Sequence, residues 1–224
     1  FLGVNIDYGL DSGVLAMDVK SKIEKLFEEH SILNVLKNVK ANTPITEENL
    51  NVPDIAKEKW APVDHYICEK YASINGAIIY MLITCRPDIT FAVNCCARYM
   101  FCPKHSHELA LKRIGHYLKQ TPDRGMIMDP SSDVCKIDAY PDADFAGMFG
   151  HEDHTDPACA KSRTGFIITF ADCPVFWQSK LQTETALSTM EAEIIALSAC
   201  CRELFPIMDM VSSVTNSVKL PIGK

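Results

Sequence analysis

A chain of 224 residues, 47% of them hydrophobic and with a formal net charge of −7, can build one large core or two small ones and is no disordered or low-complexity segment. The negative balance argues against a nucleic-acid binder that works through bulk positive charge, while leaving room for an enzyme that meets nucleic acid through a local basic groove and metal ions. The longest apolar runs, such as GAIIYMLI at 76–83, are too short to span a bilayer, so no membrane is expected. The start, FLGVNIDYGL, has no basic leader, no cleavage pattern and no initiator Met, and reads as part of something longer.

In chain order, FLGVNID at 1–7 alternates like a strand, YGLDSG supplies turn residues and VLAMD at 14–18 reads as the return strand. A helix follows in KSKIEKLFEEH, with Ile23, Leu26 and Phe27 at helical spacing. Residues 38–65 are polar and carry Pro44, Pro53 and Pro62, as a connector would. The apolar block YASINGAIIYMLITCRPDITFAVNCCARYM predicts helix, broken at Arg86-Pro87. A third helix is expected over 105–120, with Leu109, Ile114, Tyr117 and Leu118 on its apolar side and Lys112, Arg113, His116 and Lys119 on the rest. That basic side is either a solvated face or a contact with a phosphate backbone.

From Val134 the pattern changes to three strands, VCKIDAYPDADFAG, SRTGFIITFA and CPVFWQSK, with a loop at 148–161 between the first two. The closing helix, STMEAEIIALSACCRELF, has Met190, Ile194, Leu197, Cys201 and Leu204 at the spacing of one buried stripe, and Pro206 should end or kink it. The ten cysteines include the adjacent pairs Cys95-Cys96 and Cys200-Cys201, no Cys-x-x-Cys, and mostly apolar neighbours. They read as reduced core thiols of a cytosolic protein rather than a disulfide framework.

On the first of these strands Asp138, Tyr140, Asp142 and Asp144 share one face, and Ile137, Ala139, Ala143 and Phe145 share the other. Carboxylates two residues apart lie about 7 Å from each other. They could hold a divalent metal, or they could be charges that guard an edge strand, a reading that Pro141 favours. Ser188-x-x-Glu191 forms a capping box, which explains Glu191 without catalysis. Glu191 also lies off the apolar stripe, where a carboxylate can point past the helix end toward a neighbouring strand. His151, His154 and Cys159 have a spacing that zinc could use, with no fourth ligand at a convincing distance.

Taken together, the string resembles the Pol polyprotein of copia-type retrotransposons. Tyr71, Gly76 and Tyr80, then Arg86-Pro87-Asp88-Ile89, look like the segment downstream of the polymerase site, and LKRIGHYLKQTPDRGM resembles the helix and glycine turn after it. YPDADFAG, KSRTGF, FWQSKLQ and ALSTMEAEIIALS are similar, in order and spacing, to the ribonuclease H domain of that family. FLGVNID with its hairpin and helix looks like the end of a reverse transcriptase thumb.

The resemblance implies an α+β to α/β chain: a thumb-like tail at 1–40, a connector and helical connection region at 41–130, and an incomplete ribonuclease H-like mixed sheet with its first helix at 131–224. It implies cleavage of the RNA strand of an RNA–DNA hybrid by two magnesium ions, with Asp142 and Glu191 as metal-binding catalytic acids. Lys161, Arg163, Lys112 and Arg113 would contact the hybrid, and the remainder of Pol would be the protein partner. The parent element would work in a cytoplasmic virus-like particle or in the nucleus. Phe145, Cys85 and Ala72 stand where the family usually has Trp, Thr and Arg. The family's further aspartate, in an Asp-Asn strand, and its Tyr-x-Asp-Asp polymerase hairpin are not in this sequence, and Asp209 is no substitute because it falls within the last helix. The chain alone is therefore expected to lack both activities. The alternative is a domesticated, non-catalytic binding module.

Overall fold

A computed structural model of the chain describes residues 1–30, 41–46, 65–101, 103–129, 136–150 and 157–218. Most of the predicted connector at 38–65, together with His151 and His154, lies outside them. The chain divides into two compact units: Phe1–Asp7, Ala16–Met126 and Gly150–Thr155 in one, and Tyr8–Leu15, Ile127–Phe149 and Asp156–Lys224 in the other.

The predicted hairpin forms from β1 (Asn5–Tyr8) and β2 (Leu15–Asp18), and β3 (Met126–Met128) joins it in the order β1-β2-β3. A side chain at Gly125 would overlap the Met17 carbonyl, so glycine is what allows this close approach to β2. Asp18 accepts hydrogen bonds from the Asn5 amide at 2.7 Å and the Lys20 N–H at 2.9 Å, and so starts α1 (Lys20–Glu29). Ile23 and Leu26 are buried as predicted, while Phe27 is half-buried under the Lys119 ammonium, 4.9 Å above its ring.

The long apolar helix α2 (His65–Thr84) buries Tyr71, Ile74, Ile78, Met81 and Leu82 along one side. It stops where the sequence says it must. Pro87 cannot continue it and instead opens a 3-10 turn, Pro87–Ile89, which leads into α3 (Thr90–Ala97). The Tyr71 hydroxyl donates to the Cys96 carbonyl at 2.8 Å. Burial pushes the Cys96 thiol up to about 12, so it packs as a neutral group. Seven described cysteines are free and five of them are buried, which is the core-thiol arrangement.

Helix α4 (His105–Gln120) departs from expectation. Leu109 is exposed, whereas His107, Ala110, Leu111, Ile114, Tyr117 and Leu118 form the buried side and Lys112 and His116 are buried too. The reason is that α1, α2 and α3 all pack on this helix, so little of its circumference is left for a solvated basic face. Where α4 ends, the fully buried Arg86 holds the unit together. Its guanidinium grips Asp88 at 2.9 and 2.8 Å and donates to the Thr121 carbonyl and hydroxyl at 3.0 and 2.9 Å. The Tyr117 hydroxyl donates to Asp88 at 2.7 Å and accepts from Arg124 at 2.7 Å.

In the second unit β4 (Ile137–Asp144), β5 (Arg163–Phe170) and β6 (Cys173–Leu181) form a sheet in that order. All three predicted strands are present, but the pairing is antiparallel throughout, not mixed. Helix α5 (Thr189–Val218) packs across β4 and β5. The core joins Phe166, Ile168 and Cys200 with Ile137, Ala139, Phe176, Ala199, Leu204 and Ile207, and the Phe166 and Phe176 rings stack 5.9 Å apart.

The buried stripe of α5 is corrected. It consists of Ala192, Ala196 and Cys200, whereas Met190, Ile194 and Leu197 are more than half exposed. The sheet face under the helix already carries large side chains, and small residues let the helix settle onto them at native packing density. Of the end or kink expected at Pro206, the end does not occur, since the helix runs on to Val218.

Between β5 and β6 the loop has only two residues, Ala171 and Asp172, at φ of 48° and 62°. This is a type I′ turn built without the Asn-Gly that suits it. The double substitution Ala171→Asn with Asp172→Gly should raise stability by about 1 kcal/mol in urea unfolding. An unchanged or lower midpoint would show that the left-handed backbone carries no strain.

Candidate metal and nucleic-acid site

The register of the second sheet decides where each acid of β4 points. Ala139 opposes Ile168, Pro141 opposes Phe166 and Ala143 opposes Thr164, and these pairs face α5. Asp142 opposes Gly165 on the other face, with Tyr140 opposite Ile167 to one side and Asp144 opposite Arg163 to the other. A side chain added at Gly165 would meet only the Gln178 carbonyl, at 3.9 Å. Asp142 is therefore an exposed carboxylate beside bare backbone, with room for an ion or a phosphate oxygen.

The neighbouring acids have other duties. Asp138 pairs with Lys136 at 2.8 Å. The Asp144 carboxylate lies over Gly147, where any side chain would collide with it, and so belongs to the turn that leaves the strand. That turn continues through Ala146, at φ 49°, whose N–H donates to the buried Ser162 hydroxyl at 3.3 Å. The strand ends at Asp144, so Phe145 does not extend its apolar face and is exposed.

Glu191 sits in the first turn of α5. The Ser188 hydroxyl accepts the Glu191 N–H at 3.1 Å, as the capping box requires. The carboxylate reaches back one residue further than expected, accepting the Leu187 N–H at 2.7 Å. No periodic signal marks the residue that places this turn, Gln182, which is buried. Its backbone N–H donates to the Ser162 carbonyl at 2.8 Å, and its side-chain amide donates to the Thr164 hydroxyl at 3.1 Å and the Ala192 carbonyl at 3.0 Å. Since Thr164 opposes Ala143, this tether sets the start of the helix level with the Asp142 end of β4. The two acids thus lie at one end of the unit, Asp142 leaving the sheet on the face away from α5 and Glu191 leaving the helix itself.

Carboxylate oxygens are the hard donors that magnesium takes. The donor chemistry of Asp142 and Glu191 fits that ion, but among the described residues no group of three or more His, Cys, Asp or Glu side chains is arranged to hold a metal. Cys159, from the suspected zinc trio, is buried.

The four basic candidates are occupied within the chain. Lys161 donates to the Thr183 carbonyl at 2.6 Å and Arg163 is buried in β5. In the other unit, Lys112 pairs with Glu108 at 2.6 Å and Arg113 donates to the Thr43 hydroxyl at 3.4 Å. Glu108 and Lys112 are spaced i,i+4, a signal that could have marked that lysine as spoken for. No described helix is long and apolar enough to cross a membrane.

The chain is 37% identical over 134 residues, 60% of its length, to the retrovirus-related Pol polyprotein from transposon TNT 1-94 of Nicotiana tabacum. It is 33% identical over 152 residues, 68% of its length, to the retrovirus-related Pol polyprotein from transposon RE2 of Arabidopsis thaliana. These matches span only 9% and 10% of the two polyproteins. The chain is also 34% identical over 133 residues to the secreted RxLR effector protein 161 of Plasmopara viticola, covering 60% of this chain and 87% of that protein. No protein-family model matches the chain. No solved structure matches it either.

Proposed function

We propose that this chain, which belongs to the Pol polyproteins of copia-type retrotransposons, carries a late segment of a reverse transcriptase and the first strands and helix of a ribonuclease H. The parent copies RNA into DNA and removes the RNA strand of the resulting hybrid, with the rest of Pol as the partner of this segment. The observation that carries the reading is Asp142, exposed beside Gly165 and level with the first turn of α5.

In this reading Asp142 and Glu191 hold magnesium, which when bound activates a water and stabilises the leaving oxygen. Glu191 has Oε1 to offer while Oε2 keeps the Leu187 N–H. Ser188 and Gln182 fix the turn from which Glu191 extends, so the acid does not have to be ordered at the moment of binding. In this unit Lys161 meets the backbone of a hybrid by exchanging the Thr183 carbonyl for a phosphate oxygen, whereas Arg163 stays buried in β5. Two acids without further protein ligands bind magnesium weakly, so the isolated chain does not cleave.

The test is hydrolysis of a labelled RNA–DNA hybrid in magnesium by the wild type and by Asp142→Asn, beside gel shifts of hybrid and of duplex DNA at two salt concentrations. Equal, background cleavage by both proteins with a salt-dependent preference for hybrid is the expected result. Cutting that Asp142→Asn abolishes would overturn the claim of inactivity. The likeness over 87% of the length of a protein that is not named as a Pol polyprotein supports a second reading, a domesticated, non-catalytic binding module. Failure to retain hybrid at either salt concentration would favour it.

A further inference from the structure

On the side of the second sheet that α5 covers, a cleft of about 480 Å³ lies between β6, the turn after it and the helix. Four charged side chains line it: Lys180 on β6, Glu184 in the turn, and Arg202 and Glu203 on α5. All are exposed, and among the described residues none of them forms an ion pair. The wall between them is Gln182, 5% exposed, whose Oε1 is buried without a hydrogen-bond partner although its Nε2 is doubly used. The floor of the cleft is also the rim of the sheet. In the order β4-β5-β6, the outer side of β6 has no strand beside it among the described residues.

We propose that β6 and this cleft bind an extended polypeptide segment bearing both acidic and basic side chains. Its main chain pairs with the free edge of β6, an addition that needs only the unpaired backbone groups an edge strand presents. Alternate side chains then enter the cleft, where a carboxylate meets Lys180 and Arg202 and a cation meets Glu184 and Glu203. The far half of β6, Gln178–Leu181, suits this pairing because Pro174 and the irregularity opposite Ile168 and Thr169 lie toward its beginning. Mixed charge also separates this occupant from a nucleic-acid strand, whose phosphates would be met by Glu184 and Glu203. The inference stands apart from the nuclease reading, since it uses neither Asp142 nor Glu191.

The probe is a fluorescein-labelled, end-blocked peptide in which valine alternates with glutamate and lysine, titrated against the full chain by fluorescence anisotropy. Saturable binding is expected, weakened at least about tenfold by Lys180→Glu and by Arg202→Glu and abolished when the central valine of the peptide is replaced by proline. Circular dichroism controls for folding, which exposed positions such as these leave intact. No saturable binding, undiminished binding by both variants or by the proline peptide, or displacement of the probe by an RNA–DNA hybrid would each overturn the proposal. Hybrid binding by Asp142→Asn bears on the nuclease reading alone.

Discussion

Arg86→Met should destabilise the first unit by about 3–5 kcal/mol, the range for removing one partner of a buried ion pair. With a slope of about 2 kcal/mol per molar, the urea midpoint followed by circular dichroism falls by about 2 M. The size comes from what the guanidinium leaves behind. Asp88 would keep the Tyr117 hydroxyl and its own backbone N–H but no cation, and the Thr121 carbonyl that closes α4 would lose its buried donor. Burial pushes the Asp88 carboxyl up, but the Arg86 contacts outweigh it and hold the group below the ordinary carboxylate range. Arg86→Lys should recover only part of the loss, because one ammonium cannot meet both Asp88 oxygens and Thr121 together. A midpoint within about 0.3 M of the wild type for Arg86→Met would sink the idea that this network holds the helices together.

That network also shows which parts of the structure one-dimensional reading reaches. The break at Arg86-Pro87 is legible because proline fixes its own φ and removes a donor whatever surrounds it. The three strands of the second unit are legible from alternation, and alternation also puts Asp142 on the face away from Ala139 and Ala143. What Arg86 does is not legible, since its partners Asp88, Tyr117 and Thr121 come from two separate stretches of chain.

For the helices, periodicity misleads on one point in common, the assumption that the most hydrophobic side is the buried side. In α5 the residues that touch the sheet are chosen by size, so Ala192, Ala196 and Cys200 go inward and Met190, Ile194 and Leu197 stay out. In α4 the number of neighbouring helices, not composition, buries Lys112 and His116. The candidate site divides in the same way. Asp142 and the Ser188–Glu191 cap can be found along the chain, but the open position at Gly165 is a fact of register, and the Gln182 tether joins three segments that only the fold brings together.

A fall in pH from 6.5 to about 4 should cost the first unit on the order of 3 kcal/mol through a single imidazole. His107 stacks on Tyr99 with ring centroids 3.6 Å apart, and its Nδ1 accepts the Lys104 N–H at 3.0 Å, closing the start of α4. Burial lowers its pKa from 6.5 to about 4, with the cations of Lys104 and Arg98 adding to the effect. Above pH 6.5 the imidazole is neutral folded and unfolded, so its contribution is fully present. Between 6.5 and 4 the unfolded chain takes up a proton that the folded one refuses, and stability drains away at up to about 1.4 kcal/mol per pH unit. Below about 4 the folded imidazole is protonated as well and no more is lost through it. His116 is lowered in the same direction by burial and adds to the decline, whereas the Asp88 contribution, belonging to a depressed carboxylate, goes only as pH falls further. His107→Gln keeps an oxygen that can accept the Lys104 N–H and cannot titrate. Its urea stability should start lower at pH 7 and fall less steeply toward pH 4 than that of the wild type. Parallel curves over that range would mean that His107 is protonated at no special cost, and that the first unit owes its acid sensitivity to other groups.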